Sequence, residues 1–498
     1  MKYILAIDQG TTSSRAVIYD ENMKIVAAGQ EAFPQHFPEA DWVEHDLEEL
    51  WSSVENSIRA AILGVKDSSF SPSKIVAIGI TNQRETFGLW ERKNSRPVGR
   101  AVVWQCRRSA KICEKLRKSA VAKQIVAKTG LVIDPYFSGT KLKWLLENKE
   151  GLQKRAASGD LAFGTIDTFL IWRLTGGRSH VTDVSNASRT LLMDLQKQEW
   201  SEFLLKALAI PEVLLPKILS SDGDFGVTQG LGILPDGIPI RAVLGDQQAA
   251  LFGQGCFSPG EAKLTYGTGA FLLINTGEKI KRSKNGLSTV AWKVRNRSVY
   301  ALEGSVFVAG AAVQWLRDQL GLIEKSSEIE ALARSVEDSD GVFFIPALSG
   351  LGSPHWKPEA KGLLGGLSRR SSRGHIARAC LEGIAFSVGD LFAGMLVDAG
   401  LKLRRLKVDG GAAMNLLLLE NQANILQTSI QRPVDIESTA RGAASLAALA
   451  VGIFDDEKDL LDKNPVAVEV RPQIKVAEAR GLLKAWERRV AALISGAY

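Results

Sequence analysis

Apolar residues run unbroken from Tyr3 to Ile7 and give way to Asp8-Gln9-Gly10-Thr11-Thr12-Ser13-Ser14-Arg15, after which Ala16 to Tyr19 are apolar again. A strand, a hydroxyl-rich turn and a second strand are the elements this pattern predicts, with KIVAAGQEAF (Lys24 to Phe33) as a third strand after a turn at Glu21-Asn22. From Asp46 the period changes. Leu47, Leu50, Trp51, Val54, Ile58 and Ile62 recur at helical spacing, and Asp46 and Glu49 stand at the positions of a capping box. KIVAIGIT (Lys74 to Thr81) is almost wholly apolar, as in a strand buried on both faces. It delivers Asn82-Gln83-Arg84-Glu85-Thr86 at its C-terminal end, where α/β sheets bind ligands. IPIRAVLGDQQ (Ile238 to Gln248) is another strand ending in an acid and two glutamines.

The opening layout returns half a chain later. EAKLTYGTGAFLLINTG (Glu261 to Gly277) is again strand, Gly/Thr turn and strand, which suggests two similarly built lobes. A third glycine turn, Asp409-Gly410-Gly411, ends a strand within LRRLKVDGGAAMN, and a helix is expected from about Ala412. The lobe boundary is expected near Gly253 to Gly255, giving lobes 1–252 and 253–498. No Pro-rich or low-complexity linker separates them, so they are expected to pack around a shared cleft.

Composition adds limits. A chain of 498 residues, 45% hydrophobic and 23% charged, is globular and long enough for two or more domains. Cys106, Cys113, Cys256 and Cys380 form no CxxC pair, which suits reduced thiols and a cytoplasmic location. No apolar signal core precedes Asp8, and export is not expected. The longest uncharged apolar run, Gly442 to Phe454, is too short for a membrane span and reads as a buried helix. A net charge of +7 is spread among 62 basic and 55 acidic residues rather than gathered in one block. That argues against a nucleic-acid partner and suits an anionic small ligand.

GxxxxGK[ST], GxGxxG and HExxH are all absent, which leaves P-loop, Rossmann and zincin readings unsupported. If phosphate is bound, the first turn can bind it through amides of Gly10 to Ser13, hydroxyls of Thr11, Thr12 and Ser13, and the Arg15 guanidinium. Asp8 suits a magnesium ion held through water. A plain polar hairpin loop is the alternative for this stretch alone. Gly-Thr-Gly at 267–269 is likewise either a hairpin turn or a close approach to a polyphosphate. Three such turns after three strands favour an ATP cleft between lobes.

DQGTTSSRAV, TNQRET, WQCRR, LVIDPYFSGTK, TDVSNASRT, GDQQAALFGQ, YGTGAF, ALEGSVFVAGAAVQWLRD and VDGGAAMN occur in this order. Together they resemble the glycerol kinase group of the FGGY carbohydrate kinases, of the actin-like ATPase fold, from Asp8 to about Phe454. The resemblance implies an α/β fold with two actin-like (ribonuclease H-like) lobes around a central ATP and substrate cleft. It implies ATP-dependent phosphorylation of glycerol to sn-glycerol 3-phosphate, with ATP as co-substrate and Mg2+ assisting. Thr11, Thr12, Ser13, Arg15, Thr268 and Gly269 would meet the nucleotide phosphates. Gly310, Gln314, Gly411 and Asn415 would hold the nucleoside end. Glycerol would be bound by Arg84, Glu85, Tyr136, Asp246 and Gln247 between apolar walls at Trp104 and Phe271.

A triol needs charged donors and acceptors on one side and aromatic cover on the other, which is the residue mix of that group. Asp246 is the expected general base; as the acid before QQAALFGQ it also reads as a helix N-cap. Gly230 to Gly237 lacks the arginine associated in some relatives with sugar-bisphosphate inhibition, and SSDGDFGVT lacks the histidine used by a sugar-transport phosphocarrier, so neither control is expected. His355 stands in SPHWKP where an aromatic is usual. A homo-oligomer, dimer or tetramer, is expected. The competing readings are an FGGY kinase for another polyol or ketose, and an actin-like nucleotide switch.

Overall fold

Two twisted sheets organise the chain. The computed structural model describes residues 1–355, 357 and 359–497; Trp356 and Pro358 of SPHWKP lie outside the described residues. In the first sheet the spatial order is Ile240–Gly245, Ile75–Asn82, Tyr3–Gln9, Ser13–Asp20, Ile25–Ala32. The last three form an antiparallel meander and the first two pair in parallel with it. The second sheet runs Leu287–Val294, Arg297–Val306, Ala270–Gly277, Glu261–Tyr266, Arg405–Asp409, Ile430–Pro433, Val466–Val470. It repeats the device: an antiparallel hairpin at Glu261–Gly277 with Arg405–Asp409 and Ile430–Pro433 added in parallel. Here the strand beside Ala270–Gly277 is Arg297–Val306, and Leu287–Val294 lies outside it.

The first strand is longer than the apolar run, because Asp8 and Gln9 stay in the ladder opposite Arg15 and Ser14. Only Gly10 to Thr12 turn. The helix Leu47–Leu63 is capped by Asp46, whose side chain accepts from the amides of Glu48 and Glu49. Glu49 does not complete the expected capping box with its carboxylate; its Oε2 lies 2.8 Å from His36 Nε2. After Asp409 the expected helix comes in two pieces, a 3-10 turn at Gly411–Met414 and an α-helix at Leu416–Leu426 that Asn415 caps.

The predicted buried run belongs to the helix Ser438–Ala450, which packs under the first sheet although it comes from the second half of the chain. It meets the helix Asp246–Gly253 nearly backbone to backbone: a Cβ on Gly442 would fall 1.9 Å from the carbonyl oxygen of Ala249, and one on Gly253 2.1 Å from that of Ser438. These glycines let the two helices cross where the two sheets meet. One described helix, Arg373–Ala399, is apolar enough to cross a membrane by length and composition, with mean hydropathy 1.6. It is a core helix whose Leu381, Val388, Phe392 and Met395 pack beneath the second sheet, and Arg378, Glu382 and Asp390 interrupt it, so the sequence read shows no long uncharged run there.

Candidate active site

The strand Ile75–Asn82 ends in the stretch that carries Arg84 and Glu85, both buried. Glu85 takes the left-handed conformation at φ 61°, which a side-chain-bearing residue adopts only when its surroundings hold it. Ser138 Oγ donates to its carbonyl at 2.8 Å, and Arg189 Nε donates to its carboxylate at 2.6 Å. Arg84 forms an ion pair with Asp246, its Nε 3.0 Å from Oδ1, and donates through Nη1 to Gln248 Oε1 at 3.3 Å and through both Nη atoms to Glu303. Burial alone would raise the Glu303 carboxyl, but the Arg189 and Arg84 guanidiniums hold it down at about 2. Glu85 goes the other way: burial raises it more than its two arginines lower it.

Asp246 opens the helix Asp246–Gly253 at the end of the strand Ile240–Gly245. Gly245, not Asp246, is the N-cap, so the aspartate occupies the first helical position and keeps its side chain half-exposed. Gln247 accepts a hydrogen bond from Lys263, a lysine of the second sheet that burial lowers to about 8. Trp104 meets Tyr136 edge to face with ring centroids 5.6 Å apart, and both are half-exposed. The indole of Trp104 also donates to Thr11 Oγ1 at 3.0 Å, which ties this aromatic wall to the first glycine turn. Phe271 lies on the second sheet, half-exposed, opposite Thr265 and Ser305.

The first turn is braced from behind. Gln83 donates to Gln9 Oε1 and to the carbonyl of Gly10, both at 3.0 Å, and Gln35 donates to the carbonyl of Thr11 at 2.9 Å. His45, buried and lowered to about 4 by that burial, lies 2.7 Å from Gln35 Oε1 and 3.3 Å from Gln83 Nε2. Thr12 is exposed, Thr11 and Ser13 half so. Arg15 is engaged by Glu437 at 2.6 Å. Burial pushes Asp8 up to about 7, and the charges of Asp246 and Glu437 add to it.

The second turn is held by backbone. Gly267 donates to the carbonyl of Gly269 at 2.9 Å, and the carbonyl of Thr268 accepts from Ala309 at 2.8 Å and Ala311 at 3.0 Å. The helix Gly310–Asp318 thus begins against the turn, with Gln314 on its exposed side. Gly410, at φ 84°, passes so close to Tyr266 that a Cβ would fall 2.4 Å from its carbonyl oxygen. Gly411 is exposed, and Asn415 uses its side chain to cap the helix Leu416–Leu426. The termini of Tyr3–Gln9, Ile75–Asn82, Glu261–Tyr266 and Arg405–Asp409 therefore carry all three glycine turns and the Arg84-Glu85 pair.

Models of the FGGY family of carbohydrate kinases match nearly the whole of this layout, the N-terminal domain over residues 3–253 and the C-terminal domain over 262–451. The chain belongs to the FGGY family. It is 52% identical to a glycerol kinase of Bdellovibrio bacteriovorus over 97% of this chain and 98% of the relative. It is 54% identical to a glycerol kinase of Alkalilimnicola ehrlichii over 91% of each. A crystal structure of Plasmodium falciparum glycerol kinase with ADP superposes with TM-score 0.94 at 36% identity, covering 99% of this chain and 98% of that one. A ligand-bound xylulose kinase from Lactobacillus acidophilus shares the FGGY fold at TM-score 0.87 and 24% identity.

Four side chains at this FGGY site had no role in the sequence reading: Arg189, Gln248, Lys263 and Glu303. Their signal was weak but present. Glu303 is the single charge of VYALEGSV and Lys263 lies inside the strand EAKLTY, both buried, and a buried charge in a strand needs a partner. His355 finds one in Asp390, 2.6 Å from its Nε2. Among the described residues no cluster of three or more His, Cys, Asp or Glu is arranged to hold a metal ion.

Proposed function

We propose that this chain is an ATP-dependent glycerol kinase, giving sn-glycerol 3-phosphate and ADP. The observation that carries the reading is the convergence of Arg84, Glu85, Trp104, Tyr136 and Asp246 beside the first glycine turn, which Trp104 touches through Thr11. The names of full-length relatives near 50% identity add weight. Lobes 1–252 and 253–498, each carrying one of the two large sheets, would bring ATP and glycerol together between them.

Asp246 is the group placed to accept the proton of the attacking hydroxyl, because its half-exposed carboxylate is anchored by Arg84 yet open on one side. Arg84, Glu85, Tyr136 and Gln247 bind the glycerol hydroxyls with Asp246, and Trp104 and Phe271 cover the carbon edge. In-line phosphoryl transfer through a loose transition state leaves the protein chiefly to position the two oxygens and stabilise charge. The first turn and the Gly267 to Gly269 turn would do so through amides and hydroxyls, and Gly310, Gln314, Gly411 and Asn415 would border the nucleoside.

Magnesium fits the residues present. Asp8, raised to about 7 by burial and by Asp246 and Glu437, sits in an anionic corner of oxygen donors that a hydrated divalent cation would relieve. Bound there with ATP, the ion would neutralise phosphate charge. A dimer or tetramer in the cytoplasm is the proposed setting, readable by light scattering.

The nearest rival is a kinase for a longer polyol or a ketose, since xylulose kinases share the fold. An ADP-release assay over a panel of polyols and pentuloses decides between them. Glycerol should give the highest kcat/KM, and a pentulose outpacing it would overturn the glycerol reading.

A further inference from the structure

Glu303 belongs to the strand Arg297–Val306 of the second sheet, yet it reaches Arg84, which follows a strand of the first. Its Oε1 accepts from Arg84 Nη2 at 3.0 Å and from Arg189 Nη2 at 2.9 Å, and its Oε2 accepts from Arg84 Nη1. Arg189 donates in turn to Glu85, the chain neighbour of Arg84. The four side chains therefore form a continuous run of contacts, Arg84 to Glu303 to Arg189 to Glu85, which the peptide link between residues 84 and 85 closes into a ring, and none is more than 4% exposed.

Such a ring is stiff for a countable reason. A guanidinium has five N–H donors in a fixed fork. Arg84 commits one to Gln248 and two to Glu303, and its Nε lies 3.0 Å from Asp246 Oδ1 in an ion pair, so the orientation of the fork is set by those partners. Arg189 is buried and already has an Nη1 without a partner among the described residues, so it has no easy substitute for Glu303. Removing the Glu303 charge would leave two buried cations facing Glu85 and the half-exposed Asp246. Arg84 would turn toward Asp246 and Arg189 wholly toward Glu85, and each turn moves a group that a substrate hydroxyl meets.

We infer that Glu303 is a positioning residue: from the second sheet it orients the Arg84 guanidinium directly and the Glu85 carboxylate through Arg189. The inference rests on the glycerol reading only for the identity of the substrate. It makes the substrate end complete only when the two sheets stand in this relation.

Steady-state kinetics of Glu303→Gln and Glu303→Asp, with magnesium, ATP and glycerol, test it. Glu303→Gln should raise the glycerol KM by about ten- to hundredfold while the ATP KM stays within about twofold. Glu303→Asp, which keeps the charge on a shorter arm, should recover part of the loss. A merely structural role would lower the folded fraction and hence kcat, moving neither KM, and that result or an unchanged glycerol KM overturns the inference. If Glu303→Gln fails to fold, Glu303→Asp and Arg189→Lys carry the same split, because lysine cannot bridge Glu85 and Glu303 as the fork does. A wild-type enzyme that ignores glycerol but turns over a pentulose would sink the substrate reading alone, and the KM for that pentulose would then decide Glu303.

Discussion

At the proposed substrate end Arg84 and Glu85 are buried and paired with charged partners, Glu303 of the second sheet among them, whereas at the proposed phosphate end Thr12, Gly267, Thr268 and Gly411 stand exposed on turns. The two ligands differ in the same sense. Glycerol is small and neutral, so its recognition needs donors and acceptors fixed in advance, and burying them is tolerable only when each charge is answered. ATP brings its own charge, and amides on glycine turns can meet it without buried ions. The supports differ too: side chains of Gln83, Gln35 and His45 brace the first turn, and backbone bonds and close-packed glycines hold the second.

Removing the proposed base should have the largest effect. Asp246→Asn is expected to lower kcat by about 10^2 to 10^4 while ATP binding by calorimetry changes little, and full activity would remove Asp246 from the chemistry. Arg84→Ala strikes the charge ring. It strands Glu303 with Arg189 alone, so the glycerol KM should rise by about 10^2 and stability should fall by about 3 kcal/mol in urea melts. An unchanged glycerol KM would break the contrast drawn above.

The converse change is Gly410→Ala, which sets a Cβ against the Tyr266 carbonyl at φ 84°. It should raise the ATP KM by about tenfold and leave the glycerol KM alone. Equal effects on both would mean the two ends are not separately built.

The smallest effect is on pH dependence. The folded His45 titrates at about 4 against 6.5 unfolded, because burial disfavours its cation. The unfolded chain therefore binds the extra proton first, and stability present above pH 6.5 is lost as pH falls toward 4, by about 2–3 kcal/mol from this one group. His45→Gln should show a shallower loss across that window, and identical acid profiles would clear His45 as a brace.

Much of this was legible in the sequence. Strands, both hairpins and the helix from Asp46 followed from apolar periodicity, since a strand buried on both faces and an amphipathic helix each leave an unmistakable spacing. Arg84, Glu85 and Asp246 stood out as candidates because each follows an apolar strand. What stayed hidden was long-range pairing. Arg189 lies 104 residues from Glu85 and Glu303 219 from Arg84, and nothing local links them. Arg15 read as a phosphate ligand, and its ion pair with Glu437, which the sequence does not show, depends on how the helix Ser438–Ala450 crosses under the first sheet.

Release of ADP with and without glycerol, in magnesium and again in excess chelator, tests the central claim most directly. The account predicts release that rises with glycerol, saturates, and stops when magnesium is withdrawn. Release that proceeds at the same rate without glycerol would contradict it, leaving a nucleotide switch in place of a kinase.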